Sequence, residues 1–136
     1  MLEIQTDAAY RPETQEGGLG IILKFQPNIQ LKYFVNHAED NHFLEFLAMR
    51  EALKYVIEQG YHQQTLAFYS DSKIVVQSID KAYVKDALYR PILTEILELM
   101  DQIPLVFVKW IPEKQNRGAD QLARQALHKL GKVMVI

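Results

Sequence analysis

Four acidic residues stand in local contexts that could place them in one site. Asp7 lies in the strand-like run LEIQTDAAY, and Glu45 lies near the start of the helical pattern NHFLEFLAMREAL. Asp71 ends the run LAFYSDS, and Asp120 opens the helical pattern NRGADQLARQAL. Strand ends and helix starts are where small α/β domains gather ligands. Two carboxylates ~4 Å apart repel by roughly 1 kcal/mol in water and about 4 kcal/mol at an effective dielectric of 20. If the fold brings these four together, the cluster makes sense as a cation site, and the natural chemistry is two-metal cleavage of a phosphodiester.

Each carboxylate has an ordinary explanation when taken alone. Asp7 could face solvent from a half-exposed strand, although a polar residue in a central strand usually has a reason to be there. Glu45 and Asp120 could simply complement helix dipoles, and Asp71 could be a turn or cap residue. Glu45 nevertheless sits among Phe43, Leu44, Phe46 and Leu47, at the edge of a buried face. It is the order, spacing and element type taken together that point to a site.

The elements that must position them can be read from periodicity. Residues 2–9 alternate as a strand, 11–18 (RPETQEGG) read as a turn, and 19–26 and 29–36 read as strands joined at Pro27-Asn28. Such short links predict an antiparallel meander. Apolar residues then recur at helical spacing from Phe43 to Ile57, with Asp40 or Asn41 as cap and Gly60 as the stop. Residues 64–70 predict a fourth strand, and Ser70 or Ser72 could cap a short helix over 72–80. Segment 81–90 fits neither period. Pro91 opens a helix reaching about Gln102, Pro104 precedes a fifth strand over 105–110, and 111–115 form a short loop. Asn116 is placed to cap a last helix that Gly131 ends, and the tail KVMVI is apolar and β-prone. The order β-β-β-α-β-α-α-β-α predicts an α/β (α+β) domain over residues 1–136, with a five-stranded mixed sheet covered by helices.

Bulk properties narrow the function classes. The chain has 136 residues, 49% hydrophobic and 24% charged, with a net charge of −2. That balance lacks the basic signature of a strong nucleic-acid binder, so polyanion binding would rest on a local patch or on bound metal. With no cysteine, disulfides, zinc–thiolate sites and thiol nucleophiles are excluded. No apolar run reaches the ~18–20 residues that span a bilayer, and the N-terminus has no basic and apolar leader pattern. These features predict a cytoplasmic protein, more readily a monomer than an oligomer. His37, His42, His62 and His128 show no metal-ligand spacing. Ser70, Ser72 and Ser78 lack a nucleophile-elbow context, and there is no phosphate-binding glycine loop.

Four patterns then resemble type 1 ribonuclease H, within the ribonuclease H-like, reverse-transcriptase-associated family. They are TDAAYRPETQEGGLGIIL, EDNHFLEFLAMREAL, YSDSKIVVQSI and VKWIPEKQNRGADQLARQAL, running from about residue 3 to about residue 130. The resemblance implies a ribonuclease H-like fold with helices on both sheet faces and a catalytic, metal-ligating quartet of Asp7, Glu45, Asp71 and Asp120. It implies two Mg²⁺ or Mn²⁺ ions and hydrolysis of the RNA strand of an RNA–DNA hybrid to 5′-phosphate and 3′-hydroxyl ends. In that scheme Asp7 bridges both ions, Asp71 and Asp120 complete the individual shells, and Glu45 ligates one ion near the ribose. Asn41, His42, Ser72, Asn116 and Arg117 are the implied substrate contacts, Asn41 reading the minor groove where 2′-hydroxyls lie.

The chain departs from the family pattern in three places. His42 replaces the second helix asparagine, the loop IPEKQ lacks a histidine, and 81–90 carries only Lys81, Lys85 and Arg90 where larger members have a basic helix. Two other readings stand beside the hydrolase: a non-catalytic or weakly active nucleic-acid-binding domain, and a related nuclease with another substrate.

Overall fold

Residues 1–136 are described by a computed structural model. Strand β1 (Leu2–Arg11), β2 (Glu16–Leu23) and β3 (Ile29–Val35) form the antiparallel meander that the short links predict. Helix α1 (Asn41–Glu58) follows, capped by Asp40, whose side chain accepts from the Phe43 N–H at 2.8 Å. Then come β4 (Leu66–Ser70), α2 (Lys73–Lys81), α3 (Arg90–Met100), β5 (Val106–Trp110), α4 (Arg117–Leu127) and β6 (Met134–Val135). The strands lie side by side in the order β5-β4-β1-β2-β3-β6. The sheet is mixed: β4 runs parallel to β1 and β5, and β6 runs parallel to β3.

The sheet therefore has six strands where five were expected. The apolar tail adds β6 to the open edge of β3, where Ile136 and Phe34, and Asn36 and Ile136, exchange backbone hydrogen bonds. The turn after β1 is also shorter than the glycines suggest. Glu16, Gly17 and Gly18 already belong to β2. The reason is packing rather than turning: a Cβ at Gly18 or Gly20 would lie 2.1 Å from the carbonyl oxygen of Ala123 or Ala119. Only glycine lets the backbone of α4 approach β2 so closely. The last helix also stops early, at Leu127, with Lys129 and Gly131 at positive φ beyond it.

The two faces of the sheet are covered unequally. Alternate residues of β2 divide between them: Gly17 meets Leu44 of α1, while Gly18 and Gly20 meet α4. The large core lies on the α1 side, where Ile4, Leu19, Ile21, Leu44, Phe46, Phe68 and Ile96 are fully buried. Each such side chain contributes about 1.5–3 kcal/mol when buried. A small second cluster of Ile22, Ala119 and Leu122 seats α4 on the other face. Of segment 81–90, which fits neither period in the sequence, Lys81 ends α2, Arg90 opens α3, and the stretch between them is held by Tyr89. Its ring stacks on Phe46 at 5.2 Å and its hydroxyl donates to Asp40 Oδ2. No helix is long and apolar enough to cross a membrane.

Candidate metal centre

The site follows from register. Parallel pairing of β1 with β4 ends where Thr6 meets Ser70. Asp7 and Asp71 are the next residues along the two segments, so both emerge together at the carboxyl end of β4. Glu45, one turn into α1, reaches the same point from the adjoining helix. Ligand oxygens of Asp7, Glu45 and Asp71 lie within 4.8 Å of one another.

The electrostatics match that crowding. Burial, followed by the charge of Asp71, pushes the Asp7 carboxyl up to about 7. Burial raises Glu45 well above its ordinary value, with the Asp7 and Asp71 charges adding to it. Asp71 is raised as well, again mainly by burial, although a hydrogen bond from Asn116 works in the opposite direction. Glu45 Oε2 is buried with no hydrogen-bond partner. Three acids that hinder one another's ionisation, one with an orphaned oxygen, form a donor set of hard oxygens that fits a divalent cation such as Mg²⁺ or Mn²⁺.

Asp120 is near but not within this triad. It lines the same cleft of about 710 Å³ as Asp7, Glu45 and Asp71, but its carboxylate is paired with Arg124 one turn on, at 3.1 Å. Gly118 and Ala119, just before it in the chain, are packed toward the sheet rather than lining an approach to Asp120. Ala119 is buried against the sheet, and a Cβ at Gly118 would run into Ile22.

The other sequence candidates separate by location. Asn41 lines the main cleft. With His42, Ser72 and Lys73 it also lines a smaller recess of about 200 Å³ that borders Glu45 and Asp71 as well. The Ser72 hydroxyl caps α2 by accepting from the Val75 N–H. Asn116 is fully buried: its Nδ2 donates to the Thr6 carbonyl at 2.8 Å and reaches Asp71 Oδ2 at 3.4 Å. Its side chain makes no cap bond to α4 and is turned toward Thr6 and Asp71 instead. Arg117 lies with Lys114 and Gln121 in an adjoining cleft that shares Glu113, Asp120 and Arg124 with the main one.

Sequence reasoning missed Trp110, Tyr10 and His128. The Trp110 indole N–H donates to the Asp71 carbonyl at 3.1 Å, while Lys73 covers its ring. Tyr10 and His128 line the main cleft. The signal for His128 was present in the spacing: Asp120, Arg124 and His128 recur every four residues, on one face of a helix.

The sequence pattern described as "Reverse transcriptase-like" matches residues 5–126. The chain is 43% identical over 129 residues to "Putative hydrolase EbsB" of Enterococcus faecalis, covering 95% of this chain and 96% of that one. The fold is shared with the RNase H1 of Halobacterium salinarum, at TM-score 0.84 and 20% identity over 94% of this chain and 98% of that chain. LC11-RNase H1, solved in complex with an RNA/DNA hybrid, superposes at TM-score 0.84 and 20% identity over 95% of this chain and 98% of that chain. The N-terminal RNase H domain of a Mycobacterium tuberculosis protein, solved as a fusion, gives 0.82 and 22% over 94% of each chain. With a family pattern covering residues 5–126 and a fold shared with ribonuclease H1 structures, this chain belongs to the reverse transcriptase-like family of ribonuclease H-like domains.

Proposed function

We propose that this chain acts as a single-domain, metal-dependent endoribonuclease that hydrolyses the RNA strand of RNA–DNA hybrids, giving 5′-phosphate ends. The observation that carries this reading is the convergence of Asp7, Glu45 and Asp71 within 4.8 Å at the open end of β4. The relative carries the name "Putative hydrolase EbsB", and LC11-RNase H1 was solved with a hybrid; both support the same direction.

In this reading the three carboxylates hold divalent ions, and Asp120 borders the site from α4. When bound, a pair of such ions supplies acidification of the attacking water and stabilisation of the leaving 3′ oxygen. The protein's own part is positional. Asn116 and Trp110 fix Asp71 from behind through hydrogen bonds to its carboxylate and its carbonyl. Asn41 and His42, at the exposed start of α1, face the approach to Glu45 and would contact the hybrid's minor groove.

A cleavage assay with Mg²⁺ or Mn²⁺ tests this on hybrid, double-stranded RNA and single-stranded RNA. Asp71→Asn should lower hybrid cleavage by at least about 100-fold, the loss of several kcal/mol of charge stabilisation. Asp101→Asn, exposed at the end of α3, should leave it unchanged. A wild-type protein inert on all three substrates sinks the proposal. The pairing of Asp120 with Arg124 favours a second reading, a weakly active nucleic-acid-binding domain. Hybrid binding without cleavage would select it.

A further inference from the structure

The main cleft extends well past the acidic triad. One wall is β1 from Asp7 to Tyr10, and the other is the α4 face carrying Asp120, Arg124, Leu127 and His128. His128 closes the far end, about 12 Å along the helix from Asp120 at 1.5 Å per residue. There its Nδ1 lies 3.1 Å from Arg11 Nη2. A guanidinium has donors only, so Nδ1 must accept, and the ring proton of the neutral imidazole resides on Nε2. Arg11 is held in turn by Glu16 at 3.0 Å. Glu16, Arg11 and His128 thus form a relay that locks one tautomer of a histidine at the cleft end. None of the proposed ligand carboxylates bonds to it.

We infer that His128 is a substrate-positioning residue whose Nε2–H donates to a backbone phosphate oxygen of the bound nucleic acid, remote from the scissile bond. The inference rests on the nuclease reading for the identity of the ligand as a nucleic-acid backbone. At an axial rise of 3.4 Å per nucleotide, about 12 Å corresponds to a phosphate some three to four steps away. The contact involves a neutral donor. It adds affinity and register without releasing an extra counterion, and it acts equally before and during the chemical step.

The test measures affinity of the full chain for a fluorescent RNA–DNA hybrid by anisotropy without divalent ions, and kcat and KM with Mg²⁺. His128→Ala should weaken binding roughly three- to ten-fold, as for one lost hydrogen bond. KM should rise in step, with kcat and the slope of log affinity against log salt unchanged. His128→Gln, whose amide nitrogen occupies the Nε2 position, should restore binding, and His128→Asn, which mimics Nδ1, should not. Wild-type affinity in His128→Ala, or equal rescue by Asn and Gln, overturns the inference while leaving the nuclease reading in place. A wild-type protein that neither binds nor cleaves the hybrid overturns both.

Discussion

Asn116 and Thr6, 110 positions apart in the chain, are joined by a buried hydrogen bond of 2.8 Å from the Asn116 side chain to the Thr6 carbonyl. The bond fastens the start of α4 to the point where β1 leaves β4. The same amide nitrogen reaches Asp71. One side chain therefore ties together the three segments on which Asp7, Asp71 and Asp120 ride.

Asn116→Ala should cost about 1–3 kcal/mol of stability through the lost buried bonds and the space left behind. It should also weaken Mn²⁺ affinity about 10- to 100-fold, as loss of a ligand's supporting partner does. Denaturant unfolding and metal titration measure the two effects separately. A variant with wild-type metal affinity would show that Asn116 only holds the fold together.

The Asp7 carboxyl is raised from 3.8 to about 7, so in the metal-free protein the folded state keeps a proton that the unfolded chain has already released. The sign is then set: stability from this group is fully present below about pH 4 and is lost as pH rises through about 7. Asp7→Asn should stabilise the metal-free protein by about 2–4 kcal/mol at pH 8 and by little at pH 4, measured as the midpoint of urea unfolding.

Divalent cations should reverse the same penalty. A cation that binds the ionised triad competes with protons, so Mn²⁺ should raise Tm more at pH 8 than at pH 5.5. In Asp7→Asn the Mn²⁺-induced rise should shrink at both values. Equal stabilisation of wild type and variant in thermal scans would place the cation elsewhere.

Arg124 holds Asp120 in a half-open ion pair, with its own side chain 67% exposed. Such a pair contributes little to stability, so Arg124→Gln should shift unfolding by less than about 0.5 kcal/mol. Freed of its partner, Asp120 should tighten Mn²⁺ binding a few-fold. Loss of a cationic cleft residue should lower the salt slope of hybrid binding by about one. Isothermal titration and salt-dependent anisotropy measure these.

Gly20→Ala tests the seating of α4. The added methyl would meet the Ala119 carbonyl and the Ala123 N–H of the helix backbone, which cannot rotate away. Overpacking of this kind costs about 1–3 kcal/mol. It should also displace Asp120, Arg124 and His128 from the cleft, lowering hybrid affinity. Gly60→Ala, exposed at positive φ with open space around it, serves as the comparison by chemical denaturation: its cost should come from backbone conformation alone, with hybrid affinity unchanged.

Much of this molecule could be read along the chain because the interactions responsible are local. Hydrophobic period distinguished α1 from the strands, Asp40 and Ser72 marked helix starts with side-chain acceptors, and Asp71 stood at a strand end. Where the reading erred, the deciding contact came from a distant segment. Gly17 and Gly18 resemble turn residues until α1 and α4 are packed on β2, and the tail becomes β6 only because β3 offers it an unpaired edge. The types and order of the four acids were set by the sequence alone. That Asp7, Glu45 and Asp71 meet while Asp120 turns to Arg124 was decided by strand register and by helix seating, because charge groups interact through space and their separation depends on every element between them.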